Sequence, residues 1–255
     1  MAVVFDNRFE GAVLQRAGRL AVRVTTAPRQ VEAAQRLRYR VFADELGARL
    51  LSAPTRLDCD AFDGFCRHIV VEDEACGEVV GTYRVLLPAD ARRIGALYTE
   101  GEFHIDRLLP IRDELVEIGR ACVHPDYRTG AVIMLLWAGL GELLAGLPQR
   151  YLIGCASVPM ADGGHYAASL YRQLSVTDAG PEAFRVFPKD RLPVERLLHG
   201  CDVVVPPLVK GYLRAGGQLI GEPHHDRAFG CADLPMMLSL ARLGRRHARR
   251  FMPGR

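Results

Sequence analysis

At 255 residues, with 49% hydrophobic and 25% charged composition, the chain can bury a sizeable core without disulfide or metal staples and is composed like a soluble globular protein. A formal net charge of +3 is too small to argue for a nucleic-acid partner. Seven scattered cysteines with no C-x-x-C pair exclude a disulfide framework and point to reduced, mostly buried thiols in a cytoplasmic protein. The charge is unevenly placed. No acidic residue follows Asp233, while Arg242, Arg245, Arg246, Arg249, Arg250 and Arg255 crowd the C-terminus, which suits an acidic protein partner or an anionic membrane surface.

Residues 1–18 read as a loosely attached lead-in, and charges inside every apolar stretch of MAVVFDNRFEGAVLQRAGRL speak against a signal peptide. RLAVRVTTA (19–27) alternates and is β-branched, as a first strand does. Pro28 opens a helix predicted to reach Leu46, with Val31, Ala34, Leu37, Val41 and Phe42 at helical spacing. An aspartate-rich loop follows, then HIVVED (68–73) and VVGTYRVLL (79–87) as a predicted hairpin. Residues 88–114 mix loop with a short helix, and LVEIGRACV (115–123) is a predicted strand that HPDYRTG turns into an apolar helix at 130–147. That helix is barely long enough to span a membrane, and its glycines and Glu142 favour burial against a sheet.

RYLIGCASV (150–158) is a continuous apolar run of the kind buried on both faces, and GGHYAASLYRQL (163–174) a further helix. In the last third, FRVF and DVVVPPLV look strand-like and GEPHHDRAFG loop-like. A final basic amphipathic helix is predicted from about Asp233, with Leu234, Met237, Leu238, Ala241 and Leu243 on one side and arginines on the other. This order indicates an α/β (α+β) architecture, a mixed central sheet flanked by helices. The expected layout is a lead-in (1–18), a core (19–200) and a C-terminal extension (201–255) packed on the core and ending in the basic helix.

The candidate functional residues form an ordered set. Arg38 and Phe42 lie one helical turn apart and project from one face. Asp60 and Asp63 follow in DCDAFDGF, Arg84 in GTYRVLLP, and Glu117 and Arg120 in LVEIGR. This pattern resembles the acyl-homoserine-lactone autoinducer synthases. A broader likeness, over residues 20–250, covers DCDAFDGFCRHIVVED, VVGTYRVLLP, EIGRACVHPDYRTGAVIMLLWAGL, YLIGCASV and PPLVKGYLRAGGQLIGEPHHDRAFGCADL. These phrases resemble the L-ornithine Nα-acyltransferases that make lyso-ornithine lipid. The resemblance implies a GNAT-like (acetyltransferase-like) core and transfer of a 3-hydroxyacyl chain from acyl carrier protein to the α-amine of ornithine. It implies no tightly bound cofactor: acyl-phosphopantetheine, on carrier protein or as acyl-CoA, is a co-substrate. Acylation of another amine, or autoinducer-synthase-like chemistry, are the alternatives.

Two departures bear on the choice. Ala48 stands where the autoinducer synthases place a tryptophan, which favours the aminolipid branch. The loop Arg128-Thr129-Gly130-Ala131 is a shortened form of the R/Q-x-x-G-x-G/A loop whose backbone amides hold phosphates. The short version suits the single phosphodiester of a carrier protein's arm better than the diphosphate of CoA.

Aminolysis of a thioester requires a deprotonated amine, donors for the oxyanion and a protonated leaving thiol. Glu117 is the candidate base, its alternative being an ion pair with Arg84 or Arg120. Arg84 and Arg120 either clamp the amino acid's carboxylate or fix the acidic residues. Asp60 and Asp63 either hold ornithine's distal ammonium or bond their own backbone in a turn. Backbone amides at Cys122 and Val123 are candidate oxyanion donors, and Tyr171 is either the proton donor to the thiolate or a packing residue. His224, His225 and Asp226 lack metal-ligand spacing, so no metal is expected. Cys155 lacks a histidine and acid at recognisable spacing and reads as a buried thiol, not a nucleophile.

Overall fold

The computed structural model describes residues 10–145, 147–197 and 203–241. In chain order, β1 (Val13–Ala17), β2 (Leu20–Thr25) and α1 (Pro28–Tyr39) lead to β3 (Arg67–Asp73), β4 (Glu78–Leu86), α2 (Pro88–Ile94), α3 (Thr99–Glu102) and β5 (Phe103–His104). Next come β6 (Leu115–Val123), α4 (Ala131–Leu144), β7 (Tyr151–Pro159), α5 (His165–Thr177) and β8 (Phe187–Pro188). Helices α6 (Val194–Leu197) and α7 (Pro207–Arg214) precede β9 (Gln218–Leu219), β10 (His224–Asp226) and β11 (Cys231–Ser239). Two compact units result, one from residues up to Leu86 with 119–148, the other from 87–118 with 149–241. Strand β6 gives Leu115–Ile118 to the second unit and Gly119–Val123 to the first.

In the first unit the strand order is β1-β2-β3-β4-β6, antiparallel from β1 to β4. Successive residues of β3 face opposite ways. Ile69 lies on the α4 side, while Val70 joins Ala34, Leu37, Val41, Val79 and Cys122 in a cluster under α1. Each such buried aliphatic side chain contributes about 1.5–3 kcal/mol. Helix α4 lies close on the sheet because two glycines make room. A Cβ on Gly139 would fall 2.8 Å from side-chain carbons of both Val22 and Ile69, and one on Gly81 only 2.3 Å from Val132 Cγ1. The apolar stretch predicted at 130–147 therefore holds a helix, Ala131–Leu144, buried on the sheet as expected. No helix among the described residues is long and apolar enough to cross a membrane. The helix opened by Pro28 also reaches its expected end, but Arg40–Glu45 is wound as a π-helix, with Leu46 N–H on the Val41 carbonyl at 3.1 Å.

In the second unit Leu115–Glu117 of β6 runs parallel to Tyr151–Ile153 of β7. Strand β11 lies antiparallel along the whole of β7, and β9 and β10 pair with β11 in turn. Strands β5 and β8 form a separate ribbon.

Four expectations need correction. The end of the lead-in is strand β1, paired with β2. Residues 231–239 are a strand where a helix was predicted from Asp233. Every residue of Cys231–Leu238 is buried, so the run has no polar face to reveal its period, and Pro235 is disfavoured inside a helix. The Pro235 carbonyl instead accepts the Ile220 N–H at 2.9 Å. The predicted helix's Leu243 and its arginines lie outside the described residues. DVVVPPLV, expected as a strand, runs into α7, which Pro207 opens at its first position and which buries Val209 and Tyr212. The expected loop GEPHHDRAFG contains β10, whose Asp226 accepts the Ala228 and Phe229 N–H groups at 2.8 and 3.0 Å to form the turn into β11.

Candidate active site

An arginine–aspartate network sits in the first unit. Helix α1 points Arg38 inward, where it is fully buried. Its Nε donates to Asp58 Oδ2 at 2.9 Å, and its Nη2 donates to Asp63 Oδ1 and Oδ2 at 2.9 and 2.8 Å and to the Asp58 carbonyl. From β4, Arg84 Nη1 donates to Asp60 Oδ1 at 2.6 Å and Asp63 Oδ1 at 3.2 Å, with its guanidinium 5.7 Å from the centre of the Phe62 ring. From β6, Arg120 donates through Nε to Asp58 Oδ2 at 3.2 Å and through Nη2 to Asp60 Oδ2 at 3.4 Å. Arg120 has φ +52°, a left-handed backbone inside a strand that a residue with a Cβ adopts at a cost. Phe42 is half-buried, packed on the apolar cluster beneath α1.

Three guanidiniums thus face three carboxylates, so charges that would be costly to bury alone are matched and hydrogen-bonded. Burial pushes the Asp63 carboxyl's pKa up, but the charge and hydrogen bonds of Arg38, then the charge of Arg84, outweigh it and hold it well below the usual carboxylate range. Gln35 Nε2 donates to Asp63 Oδ2 at 3.1 Å, and His68 Nε2 lies 3.1 Å from the Asp63 carbonyl. A carbonyl only accepts, so the His68 proton resides on Nε2. Burial keeps that imidazole's pKa below its usual value.

The aspartates differ in exposure. Asp58 and Asp63 are 4% and 6% exposed, Asp60 25%. Asp60 also turns the loop, accepting the Phe62 N–H on Oδ1 at 2.9 Å, which is the turn-forming reading of this residue, while its carboxylate remains partly exposed.

In the second unit Glu117 is buried, and its carboxylate holds the start of α3. Oε2 accepts the Tyr98 N–H at 2.6 Å, and Oε1 accepts the Thr99 N–H at 2.7 Å together with the Thr99 hydroxyl. Tyr171 is half-buried on α5. Burial, then the charge of Glu222, raises the pKa of its hydroxyl, which therefore carries its proton at neutral pH. The Cys155 thiol is pushed well up by burial and by the charges of Glu102 and Asp233, which disfavours the thiolate a nucleophile needs. His224 is engaged elsewhere, its Nδ1 3.2 Å from the Asp190 N–H and its ring 5.7 Å from that of Phe103. The Asp226, Cys231 and Asp233 donor atoms lie within 4.8 Å of one another, and burial and both carboxylates raise the Cys231 thiol's pKa.

The phosphate-type loop closes on Gly130, which caps α4 at φ +93° and leaves the first-turn amides from Ala131 without carbonyl partners within the helix. Thr129 is exposed beside it. Arg128 is drawn to the π-helical segment, its Nη1 and Nη2 bonding Glu45 at 2.6 and 2.7 Å and its Nε the Val123 carbonyl at 3.2 Å. The Cys122 thiol is buried, which pushes its pKa up to about 12.

The structure therefore brings Arg38, Asp60, Asp63, Arg84 and Arg120 together, and adds Asp58, Gln35 and His68, which the sequence did not single out. Asp58 had a signal: at two residues before Asp60 it shares a side of an extended chain. Thr99, the partner of Glu117, had none.

Residues 37–138 match the family model of the acetyltransferase (GNAT) domain. The chain is 32% identical to the L-ornithine N(alpha)-acyltransferase of Brucella abortus (strain 2308), covering 96% of this chain and 92% of that one. It is 31% identical to the enzyme of the same name from Rhizobium meliloti (strain 1021), over 92% of this chain and 85% of that one. Among solved structures, its fold is similar to that of BjaI, a CoA-dependent acyl-homoserine lactone synthase with SAM and isopentyl-CoA. The TM-score is 0.52 at 15% identity, covering 89% of this chain and 85% of that one. It is also similar to FeeM, an N-acyl amino acid synthase from uncultured soil microbes, at TM-score 0.51 and 14% identity over 89% and 94% of the two chains.

Proposed function

Since this chain belongs to the L-ornithine N(alpha)-acyltransferase family, we propose that it moves a 3-hydroxyacyl group from an acyl carrier protein thioester to the α-amine of ornithine, giving lyso-ornithine lipid. The observation that supports this acceptor is the exposure of Asp60. Ornithine's distal amine, with a pKa near ~10 by analogy with lysine, stays an ammonium at neutral pH and needs a carboxylate. Asp60 reaches solvent while Asp63 and Asp58 are shut in by arginines, and among the described residues its Oδ2 accepts only from Arg120, at 3.4 Å. In this reading Asp60 takes the distal ammonium and Arg120 turns toward the carboxylate. Arg84 and Arg38 hold Asp60 and Asp63 in place, and Phe42 sets the helix that bears Arg38.

Glu117 is the proposed proton acceptor for the α-ammonium, acting directly or through water. Backbone amides at Cys122 and Val123 are the proposed donors to the oxyanion, and Tyr171 returns a proton to the thiolate. The phosphodiester of the pantetheine arm sits against the α4 amides at Ala131, with Thr129, Gly130 and Arg128 around it. The shortness of that loop is what favours carrier protein over CoA. The arginine-rich C-terminal sequence supports contact with an acidic carrier or an anionic membrane, and so a cytoplasmic enzyme that meets the inner face of the membrane.

The test is mass spectrometry of lipids from a host that makes no aminolipids, expressing this chain with its acyl-carrier supply. A new lipid whose fragments release ornithine supports the reading. A new lipid with another amine headgroup replaces ornithine as the substrate.

A further inference from the structure

The first unit contains an open groove of about 680 Å³ walled by Arg19, Arg40, Glu78, His124, Tyr127 and Thr129. The His124 side chain at its base is only 3% exposed. Its Nδ1 accepts the Asp126 N–H at 3.2 Å, which places the imidazole proton on Nε2. Among the described residues Nε2 has no hydrogen-bond partner. A buried donor is unfavourable unless an acceptor, water or a ligand atom, meets it.

A single carboxylate oxygen approaches that place. Glu78 Oε1 lies 3.7 Å from His124 Nε2 and 3.7 Å from Arg40 Nη1, too far to bond either. The other wall charges are matched or turned outward. Arg19 pairs at 2.8 Å with the buried Asp73, which also accepts the Tyr127 hydroxyl at 2.8 Å. Asp126 is 80% exposed, its Oδ2 3.9 Å from His124 Nδ1.

We propose that this groove is a phosphate-binding site. One phosphate oxygen accepts from His124 Nε2–H and a second from Arg40, with the Thr129 hydroxyl at the rim and Glu78 swung outward. A tetrahedral phosphate offers several acceptors to two donors that the single Glu78 oxygen does not bond, and the groove has space for the group that the phosphate esterifies. The site shares Thr129 with the proposed pantetheine-arm site but uses neither Arg128 nor Gly130 and Ala131, and phosphate binding is read without acyl donor or amine.

The test is calorimetric titration of the full chain with inorganic phosphate at constant ionic strength, with chloride as control. In parallel, the His124 Nε2–H is followed by nitrogen-15 NMR. Removing the competing charge by Glu78→Gln is expected to tighten phosphate binding by roughly fivefold. Arg40→Gln and His124→Leu are expected to weaken it by at least as much, while His124→Gln, which keeps an N–H at the corresponding position, retains it. Pantetheine 4′-phosphate and phosphatidylglycerol vesicles, titrated separately, identify whether the phosphate belongs to the donor or to a lipid headgroup. The proposal is overturned if phosphate binds no better than chloride, or if its affinity is the same in Glu78→Gln and Arg40→Gln.

Discussion

Thr99 presents two donors, its backbone N–H at 2.7 Å and its hydroxyl, to one oxygen of Glu117. With Tyr98 N–H on the other oxygen, the carboxylate is fixed in orientation and serves as the anchor of α3. Anchor and base make different demands on it, and the two can be separated.

Glu117→Gln keeps an amide oxygen for the Thr99 donors but turns an NH2 group toward the Tyr98 N–H. A base role predicts a loss of kcat on the order of 10² with little change in KM. Thr99→Val removes only the hydroxyl, costing about 1 kcal/mol of stability and little rate. Steady-state kinetics beside thermal melts of both variants check this. Rate losses that merely track loss of stability in both would leave Glu117 an anchor alone.

Asp63 and Asp60 lie three residues apart in sequence yet are expected to respond oppositely. Asp63→Asn removes the charge that balances the buried Arg38 and should cost about 3–5 kcal/mol in denaturant unfolding. Asp60→Asn, at a partly exposed position, should cost under about 1 kcal/mol and raise the KM for ornithine roughly tenfold. Equal stability losses would contradict the division of labour drawn between them.

The network also sets an acid dependence. The folded pKa of Asp63 is depressed, so its contribution is complete above the unfolded carboxyl value near ~4 and declines as pH falls below it. His68 is held neutral mainly by burial, so the unfolded chain takes up its proton first and stability falls as pH drops through about 6.5. Stability should therefore rise with pH across the acid range. His68→Gln should flatten the part between about pH 5 and 7 and leave the lower part, as urea titrations at several pH values would show.

Much of this fold was legible because its patterns were local. Strands β3, β4, β6 and β7 and helix α4 fell where apolar period and turn residues placed them. Strand β11 was not, since a segment buried on every side carries no period. The site shows the same division. Arg38, Asp63, Arg84 and Arg120 were found as an ordered set, but their connections cross elements. His68 sits on the neighbouring strand, the left-handed backbone of Arg120 has no compositional mark, and the partner of Arg128 lies 83 residues away at Glu45.

That last pair yields a gain-of-function test. Freed by Glu45→Gln, Arg128 should reach the donor's phosphodiester more readily, lowering the KM for acyl carrier protein by a few-fold, whereas Arg128→Gln should raise it. Opposite shifts in donor KM with unchanged ornithine KM are the expected signature. Parallel shifts would assign the pair to holding the loop.

The most direct measurement supplies purified protein with ornithine and either 3-hydroxyacyl carrier protein or the matching acyl-CoA, and locates the new amide by tandem mass spectrometry. The expected product carries the acyl chain on the α-nitrogen and forms faster from the carrier protein. Acylation of the distal nitrogen, or no acyl ornithine from either donor, would contradict the proposed function.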